Sequence, residues 1–169
     1  SVYGSHTAGK TWFALWCATQ VEKLTLYIDY EDSATGSRAR AKALDESLLD
    51  KVLFMRPAPV EVILGVVGQY GVGLVVIDTV GEAMAAMGLD TNAEKDTTRW
   101  FAEVPDRIAE AGPAVLLLDH VAKRADGKPS PVGSFRKSAA ITGASFALEN
   151  VVGFSKDRAG TSVLRCTKD

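Results

Sequence analysis

Short apolar runs alternate along the chain with longer stretches in which apolar residues recur at helical spacing. The apolar runs are TLYID at 25–29, KVLFM at 51–55, GLVVID at 73–78 and AVLLLD at 114–119. Consecutive apolar residues over this length are typical of strands that are buried on both faces. The stretches predicted as helices are 10–20, about 34–49, 60–70 and 92–111. This alternation favours an α/β fold with a mainly parallel central sheet and helices on both faces.

The C-terminal part of the chain has a different pattern. After residue 140 the runs ASFALEN, VVGFSKD and TSVLRC are strand-like and closely spaced, and DRAG predicts a turn between the last two. They predict antiparallel strands that form a hairpin at one edge of the sheet.

A chain of 169 residues is long enough for one hydrophobic core, so we expect a single domain over 1–169. Only three residues precede Gly4, and the chain stops directly after a strand-like run, so we expect this domain to be trimmed at both ends.

Positions 4–11 read GSHTAGKT, which matches the P-loop spacing of Gly, four residues, Gly, Lys and Thr. Gly4 and Gly9 let the backbone curl so that its N–H groups face an anion at the start of the next helix. Lys10 would reach the β- and γ-phosphates, and the Thr11 hydroxyl would ligate Mg²⁺. A chance match is disfavoured because strand-like SVY precedes the motif and a helix follows it. The residues WFALWCA make this helix apolar, and we expect it to be buried beneath the sheet. The residues predicted to bind ATP are Gly4, Ser5, His6, Thr7, Ala8, Gly9, Lys10 and Thr11, with His6 as a loop residue rather than a catalyst.

Carboxylates at strand ends supply the remaining chemistry. Asp78 ends the run LVVID, which is the context of a carboxylate that holds Mg²⁺, and Thr79 could orient it. Hydrolysis also needs a base that orients the attacking water. Glu31 follows the strand after the P-loop helix, and carboxyl ends of parallel strands meet at one edge of the sheet. Asp32 and Asp29 are competitors for this role, Asp29 the weaker because it falls within the predicted strand.

This order of motifs resembles the RecA-like branch of P-loop ATPases, in which a glutamate ends the second strand. GSHTAGKT resembles Walker A, LVVID resembles Walker B, and Glu31 resembles the catalytic glutamate. LLLDH, ending in His120, resembles the sensor strand of hexameric replicative helicases, where the RepA type carries a histidine and the DnaB type a glutamine. Gly133 and Ser134 stand where the DnaB-like family has Gly-Ser after a mobile loop. SKDRAG resembles the Lys-x-Arg-x-Gly hairpin of that family.

The resemblance extends along nearly the whole chain and implies which residues act in catalysis. The implied catalytic set is Glu31, Lys10, His120, Lys156 and Arg158. Lys156 and Arg158 would share a face of an extended hairpin and act in trans on a neighbouring subunit's γ-phosphate. The resemblance therefore implies a homo-oligomer, a hexameric ring with nucleotide sites between subunits. A structural histidine at 120 and a solvated hairpin tip at 156–158 are the alternatives.

Segment 121–137 is a basic stretch directly after the sensor-like strand. It carries five basic residues and one acidic residue, a balance of +4 against −2 for the whole chain. Its prolines and glycines disfavour regular structure across the middle. The residues predicted to contact the backbone of single-stranded DNA are Lys123, Arg124, Lys128, Arg136 and Lys137. A solvated basic loop is the alternative, and 81–96 is either a second channel-side loop or a helix that packs on its methionines and alanines.

These features predict the ATP-hydrolysing motor domain of a RecA-like hexameric DNA helicase that couples Mg-ATP hydrolysis to translocation on single-stranded DNA. The first alternative is a recombinase-like or loader ATPase that binds DNA without unwinding it. A P-loop kinase is less favoured because Asp78 and Glu31 together favour water as the acceptor. A non-hydrolysing nucleotide-binding module is less favoured because Lys10, Thr11 and Glu31 are all present.

Net charge, hydropathy and cysteine content indicate the expected partners and cellular compartment of the protein. A net charge of −2 gives no general attraction to nucleic acid or to an anionic membrane. No run approaches the ~20 apolar residues of a membrane span, and no signal peptide precedes the P-loop, so we expect a cytoplasmic protein. Cys17 and Cys166 lie far apart without ligand spacing and are predicted to be reduced core thiols.

Overall fold

The computed structural model describes residues 1–123, 129–131, 143–152 and 160–168. The strands in these ranges are β1 Val2–Gly4, β2 Thr25–Asp29, β3 Val52–Met55, β4 Leu74–Asp78, β5 Ala114–Lys123, β6 Pro129–Pro131, β7 Ser145–Val152 and β8 Thr161–Lys168. The helices are α1 Lys10–Thr19, α2 Ala34–Leu44, α3 Leu48–Lys51, α4 Val60–Tyr70, α5 Val80–Ala86, α6 Glu94–Glu103 and α7 Pro105–Glu110. Each apolar run before residue 120 is a strand, as its sequence predicts.

The strands form one sheet in the order β3-β2-β4-β5-β1-β7-β8. Neighbours are parallel from β3 to β7, and β8 runs antiparallel to β7 at the edge. This confirms the mainly parallel sheet with an antiparallel C-terminal pair. The strand β7 itself pairs in parallel with β1, so the hairpin is joined to the sheet through a parallel neighbour.

Side chains of the central strands alternate between two cores, one on each face of the sheet. Leu26 and Ile77 pack with the helices α4 to α7 on one face, where Trp100 is fully buried. Tyr27 and Val76 pack on the other face with α1, α2 and α3. Because both faces are covered, these strands have no polar side, and their sequences read as continuous apolar runs.

Two predicted helices are each shorter than their sequence pattern indicates. The stretch 92–111 divides into α6 and α7, with the break at Val104. Pro105 explains the break, because proline has no N–H for the preceding turn and fits the first position of a new helix. The stretch 34–49 ends at Leu44, and α3 follows as a separate short helix. At its other end α2 is capped by Ser33, whose Oγ accepts a hydrogen bond of 3.2 Å from the backbone N–H of Gly36.

The helix α1 is buried on one side only. Ala14, Leu15 and Ala18 face the sheet and are buried, whereas Trp12 and Trp16 are 44% and 51% exposed. The expectation that the whole stretch WFALWCA lies beneath the sheet is therefore wrong for the two tryptophans. A helix in an outer layer buries one stripe, and these tryptophans lie on the opposite side.

Regular structure continues into the basic segment. The strand β5 extends past His120 to Lys123 and pairs there with β6 in antiparallel fashion. The expectation that prolines and glycines disfavour regular structure across the middle of this segment is therefore wrong for Pro129–Pro131, since a three-residue strand at an edge tolerates proline. Only the backbone is described for Lys123. The other candidate residues, Arg124, Lys128, Gly133, Ser134, Arg136, Lys137, Lys156 and Arg158, lie outside the described residues, as does most of the DRAG turn.

Other predictions concern the cysteines, the segment 81–96 and the membrane. Cys17 is half-buried and Cys166 is exposed on the edge strand β8, so the prediction of a core thiol is wrong for Cys166; neither thiol is in a disulfide. Much of 81–96 is helical in α5 and α6, and Met84 is fully buried, which favours helix packing there. In the part of the chain that the structure describes, no helix is long and apolar enough to cross a membrane.

Candidate functional site

The P-loop leaves the carboxyl end of β1, between β5 and β7, and enters α1. A Cβ atom on Gly4 would lie 2.5 Å from the carbonyl oxygen of Leu148 and 2.9 Å from Cβ of Ala8, so only glycine fits there. Gly9 has a left-handed φ of 89° immediately before α1, which glycine adopts without steric cost. The first N–H groups of α1, which have no partner within the helix, therefore open toward the concave side of the loop.

The Lys10 ammonium group lies inside this loop. Its side chain is buried, and Nζ donates hydrogen bonds to the carbonyl oxygens of Gly4 at 3.0 Å and Ser5 at 2.9 Å. Nζ also lies 3.3 Å from Nδ1 of His120. Burial lowers the pKa of Lys10, and nearby carboxylates, Asp78 foremost, oppose that shift. A cation is thus held close to the anion-facing N–H groups.

Asp78 is held by two hydroxyl groups from two other elements. Thr11 Oγ1 donates to Asp78 Oδ2 at 3.0 Å, and the Tyr27 hydroxyl donates to the same oxygen at 2.6 Å. Burial raises the pKa of Asp78, while both hydrogen bonds act to lower it. The sequence suggested Thr79 as the orienting residue. Its hydroxyl instead donates to Glu31 Oε1 at 3.5 Å, and Tyr27 holds Asp78.

Asp29 shapes the turn that carries the predicted base. Its Oδ1 accepts the backbone N–H groups of Glu31 at 3.0 Å and Asp32 at 2.8 Å, and its Oδ2 accepts the Ser37 hydroxyl. Asp29 is buried at the end of β2. Asp32 is half-exposed and pairs with Arg40 at 2.7 Å. Both competitors are engaged in local structure, which leaves Glu31 as the better-placed carboxylate.

Glu31 meets His120 across the mouth of the site. Glu31 Oε1 contacts Nε2 of His120. The ammonium group of Lys10 can only donate, so Nδ1 of His120 accepts from it and the ring proton lies on Nε2, which donates to Glu31. His120 thereby connects the P-loop lysine to the predicted base.

His6 lies closer to the predicted catalytic residues than its place in the variable part of the motif suggests. Its ring centroid is 3.9 Å from that of His120, and His6, Glu31 and His120 each present a ligand atom within 4.8 Å of the others. Two imidazoles and a carboxylate are ligands that suit a transition metal. The Lys10 ammonium beside His120 opposes a cation at this point, since like charges repel at this distance.

Many of these groups line one cleft of about 240 Å³. The residues that line it are His6, Thr7, Gly9, Lys10, Thr11, Trp12, Asp29, Glu31, Asp32, Arg40 and Asp78. The cleft therefore joins an anion-binding loop, the Thr11–Asp78 pair and three further carboxylates.

Comparisons with known proteins show the family and the fold of the chain. Residues 1–126 match a sequence family described as AAA domain. The chain belongs to this family. Among solved structures it is similar to the RadB recombinase, with 18% identity, a TM-score of 0.59, and coverage of 96% of this chain and 84% of that one. No match was found among curated proteins.

The likeness to the RadB recombinase shows the fold of this AAA domain. A sequence identity of 18% shows the fold alone and not the function. The parallel sheet, the helices on both faces and the antiparallel C-terminal pair are those of a RecA-like α/β fold. Together, the family and the fold confirm the coarse prediction of a RecA-like P-loop ATPase.

The residues of the AAA domain fit a nucleoside triphosphate with Mg²⁺. Gly4 leaves no room for a side chain between the P-loop and β7, and Gly9 makes the left-handed turn that leads into α1. Thr11 and Asp78 offer the hydroxyl and carboxylate oxygens that Mg²⁺ prefers. The buried Lys10 supplies the positive charge that phosphates require.

Sequence reasoning missed the contact of Tyr27 with Asp78. A tyrosine within an apolar strand is more often a core residue, and Tyr27 is indeed fully buried. The available signal was its spacing. Residues two apart on a strand share a face, so Tyr27 lies on the same face as Asp29, next to the strand that ends in Asp78.

Proposed function

We propose that this AAA domain binds Mg-ATP, hydrolyses it, and uses the energy to move along single-stranded DNA as a hexameric helicase of the RecA-like type. One observation carries the hydrolytic part. Lys10 and Thr11 at the start of α1, Glu31 after β2 and Asp78 at the end of β4 come from three different stretches of chain and line the same cleft.

The P-loop binds the phosphates of the nucleotide. The N–H groups at the start of α1 and the ammonium of Lys10 take the phosphate oxygens, and Lys10 exchanges its bonds to Gly4 and Ser5 for them. Thr11 and Asp78 would hold Mg²⁺, which neutralises charge on the phosphates. Asp78 ionises for this task, favoured by the two hydroxyl groups that donate to it.

Glu31 acts as the base in hydrolysis. Its side chain is 35% exposed, so water reaches it, and His120 and Thr79 hold one of its oxygens. The free carboxylate oxygen orients a water molecule for attack on the γ-phosphorus and accepts its proton. The bond from the γ-phosphorus to the bridging oxygen then breaks, and ADP and phosphate are the products.

The link from hydrolysis to DNA runs along β5. His120 contacts both Lys10 and Glu31, and the same strand continues to Lys123 at the start of the basic segment. A movement of His120 on loss of the γ-phosphate would therefore reach the DNA-binding residues through a short stretch of continuous backbone. The resemblance to helicases adds Lys156 and Arg158, proposed to act on a neighbouring subunit's nucleotide.

A recombinase-like ATPase is the second candidate, because a protein of that class, the RadB recombinase, shares this fold. In that case the same site would hydrolyse ATP and the protein would bind DNA without separating strands. Both candidates hydrolyse ATP at the same site, but only a helicase separates the strands of a forked duplex.

The test measures ATP turnover with and without single-stranded DNA for the wild type, Glu31→Gln and the control Glu22→Gln, an exposed carboxylate outside the cleft. We expect DNA to stimulate the wild type, and Glu31→Gln to lose about 10²–10⁴-fold in turnover while still binding ATP. The oligomeric state is measured in the same samples. The proposal would be refuted if ATP turnover does not respond to DNA and is unchanged in Glu31→Gln. A second assay, unwinding of a forked duplex, distinguishes a helicase from a recombinase.

A further inference from the structure

Trp12 is a large aromatic residue at the start of α1 that contributes little to the core. It directly follows Thr11, and its side chain is 44% exposed. Exposing an indole to water forgoes the stabilisation that burial would give. The residue therefore presents an apolar surface to solvent next to the P-loop.

The exposed surface of Trp12 borders the nucleotide cleft. Side chains on a helix lean toward its N-terminus, which for α1 is the P-loop. Trp12 lines the cleft, and it is the one large apolar side chain among the described residues that do so. The others are glycine, hydroxyl, imidazole or charged residues, which suit phosphates, Mg²⁺ and water.

We propose that Trp12 is the platform on which the base of a bound nucleoside triphosphate stacks. This rests on the proposed nucleotide-binding function and adds the part of the ligand that Trp12 recognises, a flat aromatic base. The P-loop cradles the phosphates and the indole face takes the base, so the site prefers a nucleotide to a bare polyphosphate. Such a platform accepts any base, because every base has a π-face.

Trp16 offers a matched comparison on the same helix. It lies one turn further along α1 and is 51% exposed, but it does not line the cleft. Its ring packs against Phe13 at a centroid distance of 5.9 Å. A general effect of an exposed tryptophan on α1 would appear at both positions, whereas base stacking involves Trp12 alone.

The experiment titrates Mg-ATP and Mg-tripolyphosphate, by calorimetry, into the wild type, Trp12→Ala, Trp12→Phe and Trp16→Ala. We expect Trp12→Ala to raise the dissociation constant for ATP about tenfold and to leave that for tripolyphosphate within twofold. Trp12→Phe keeps a π-face and retains most of the ATP affinity. Trp16→Ala leaves both constants unchanged. Thermal melts of each variant verify that it is folded.

Other outcomes overturn the proposal in distinguishable ways. Unchanged ATP affinity in Trp12→Ala refutes stacking. An equal loss for both ligands shows that Trp12 shapes the P-loop, and an equal loss of ATP affinity in Trp16→Ala shows a general effect of the helix surface. A wild type that binds neither ligand refutes the nucleotide-binding function itself, and the base platform falls with it.

Discussion

Glu31 and His120 are 89 positions apart in the sequence, and in the fold an oxygen of the Glu31 carboxylate contacts Nε2 of the His120 imidazole. One residue follows β2 and the other lies within β5, with β4 between these strands in the sheet. A single ring thus holds the proposed base and touches Lys10. This relationship makes His120 a positioning residue whose effect can be measured.

Replacing His120 by alanine is expected to lower kcat for ATP by about tenfold or more while KM changes little, because Glu31 loses its orienting partner. His120→Gln should retain more activity, since an amide can still donate to Glu31 and accept from Lys10. Steady-state kinetics of both variants test this. A purely structural role would lower stability in both variants and would not separate kcat from KM.

Asp78→Asn is expected to stabilise the nucleotide-free protein and to abolish Mg²⁺-dependent turnover. Burial raises the pKa of Asp78, so the folded state holds this proton more tightly than the unfolded chain does. Ionising Asp78 therefore costs stability, and the cost grows as pH rises from the ordinary aspartate pKa of about 3.9 through the raised value. At pH 7 the variant should melt about 2–4 °C higher, with the gain shrinking toward pH 4.

Thermal melts across this pH range, without nucleotide or Mg²⁺, give the measurement for Asp78→Asn. The control is Asp50→Asn, an exposed carboxylate on α3. A lower melting temperature for Asp78→Asn at every pH would show that the buried charge is stabilised rather than strained.

Tyr27→Phe removes one of the two hydroxyl groups that donate to Asp78. We expect a loss of about 1 kcal/mol in the free energy of unfolding, since a buried hydrogen bond is lost. The pKa of Asp78 should rise further, because the Tyr27 hydrogen bond acts to lower it. The acid limb of Mg²⁺-dependent turnover would therefore move to higher pH. Urea unfolding and a pH–rate profile test this against Tyr70→Phe, whose side chain is 48% exposed; identical profiles for both variants would contradict it.

Gly4→Ala tests the close approach of the P-loop to β7. The added Cβ would collide with the Leu148 carbonyl oxygen and Ala8, so we expect a loss of about 1–3 kcal/mol in unfolding free energy and a large loss of ATP affinity. Gly65→Ala is the matched control. A Cβ there meets nothing within 4 Å inside α4, so this change should stabilise by about 0.5–1 kcal/mol. Similar behaviour of the two variants in denaturant titration and ATP binding would refute the argument.

Much of the fold and the P-loop could be predicted because their signals are local. The strands around Tyr27 and Val76 are buried on both faces and read as apolar runs, and the spacing of Gly4, Gly9 and Lys10 is a covalent property of the chain. Parallel topology then places the ends of β2 and β4 at one edge, which is why Glu31 and Asp78 could be expected in one cleft.

What could not be predicted depends on three-dimensional contacts. Tyr27 meets Asp78, and the His6 ring lies against the His120 ring, only because the fold brings separate segments together. The division of the helix at Pro105 was missed because the apolar pattern continues across the proline. Which side of α1 faces solvent was missed because tryptophan is apolar enough to suit either side.

The strand β1 has both of its neighbours far along the chain, at residues 118–120 on one side and 146–148 on the other. Beside it, the backbone nitrogen of Ser1 donates to the Ala144 carbonyl oxygen at 2.7 Å. A growing chain therefore carries the P-loop sequence long before it has the sheet that supports the P-loop. Nucleotide binding should therefore begin only after Leu148 has emerged from the ribosome and β7 has paired with β1.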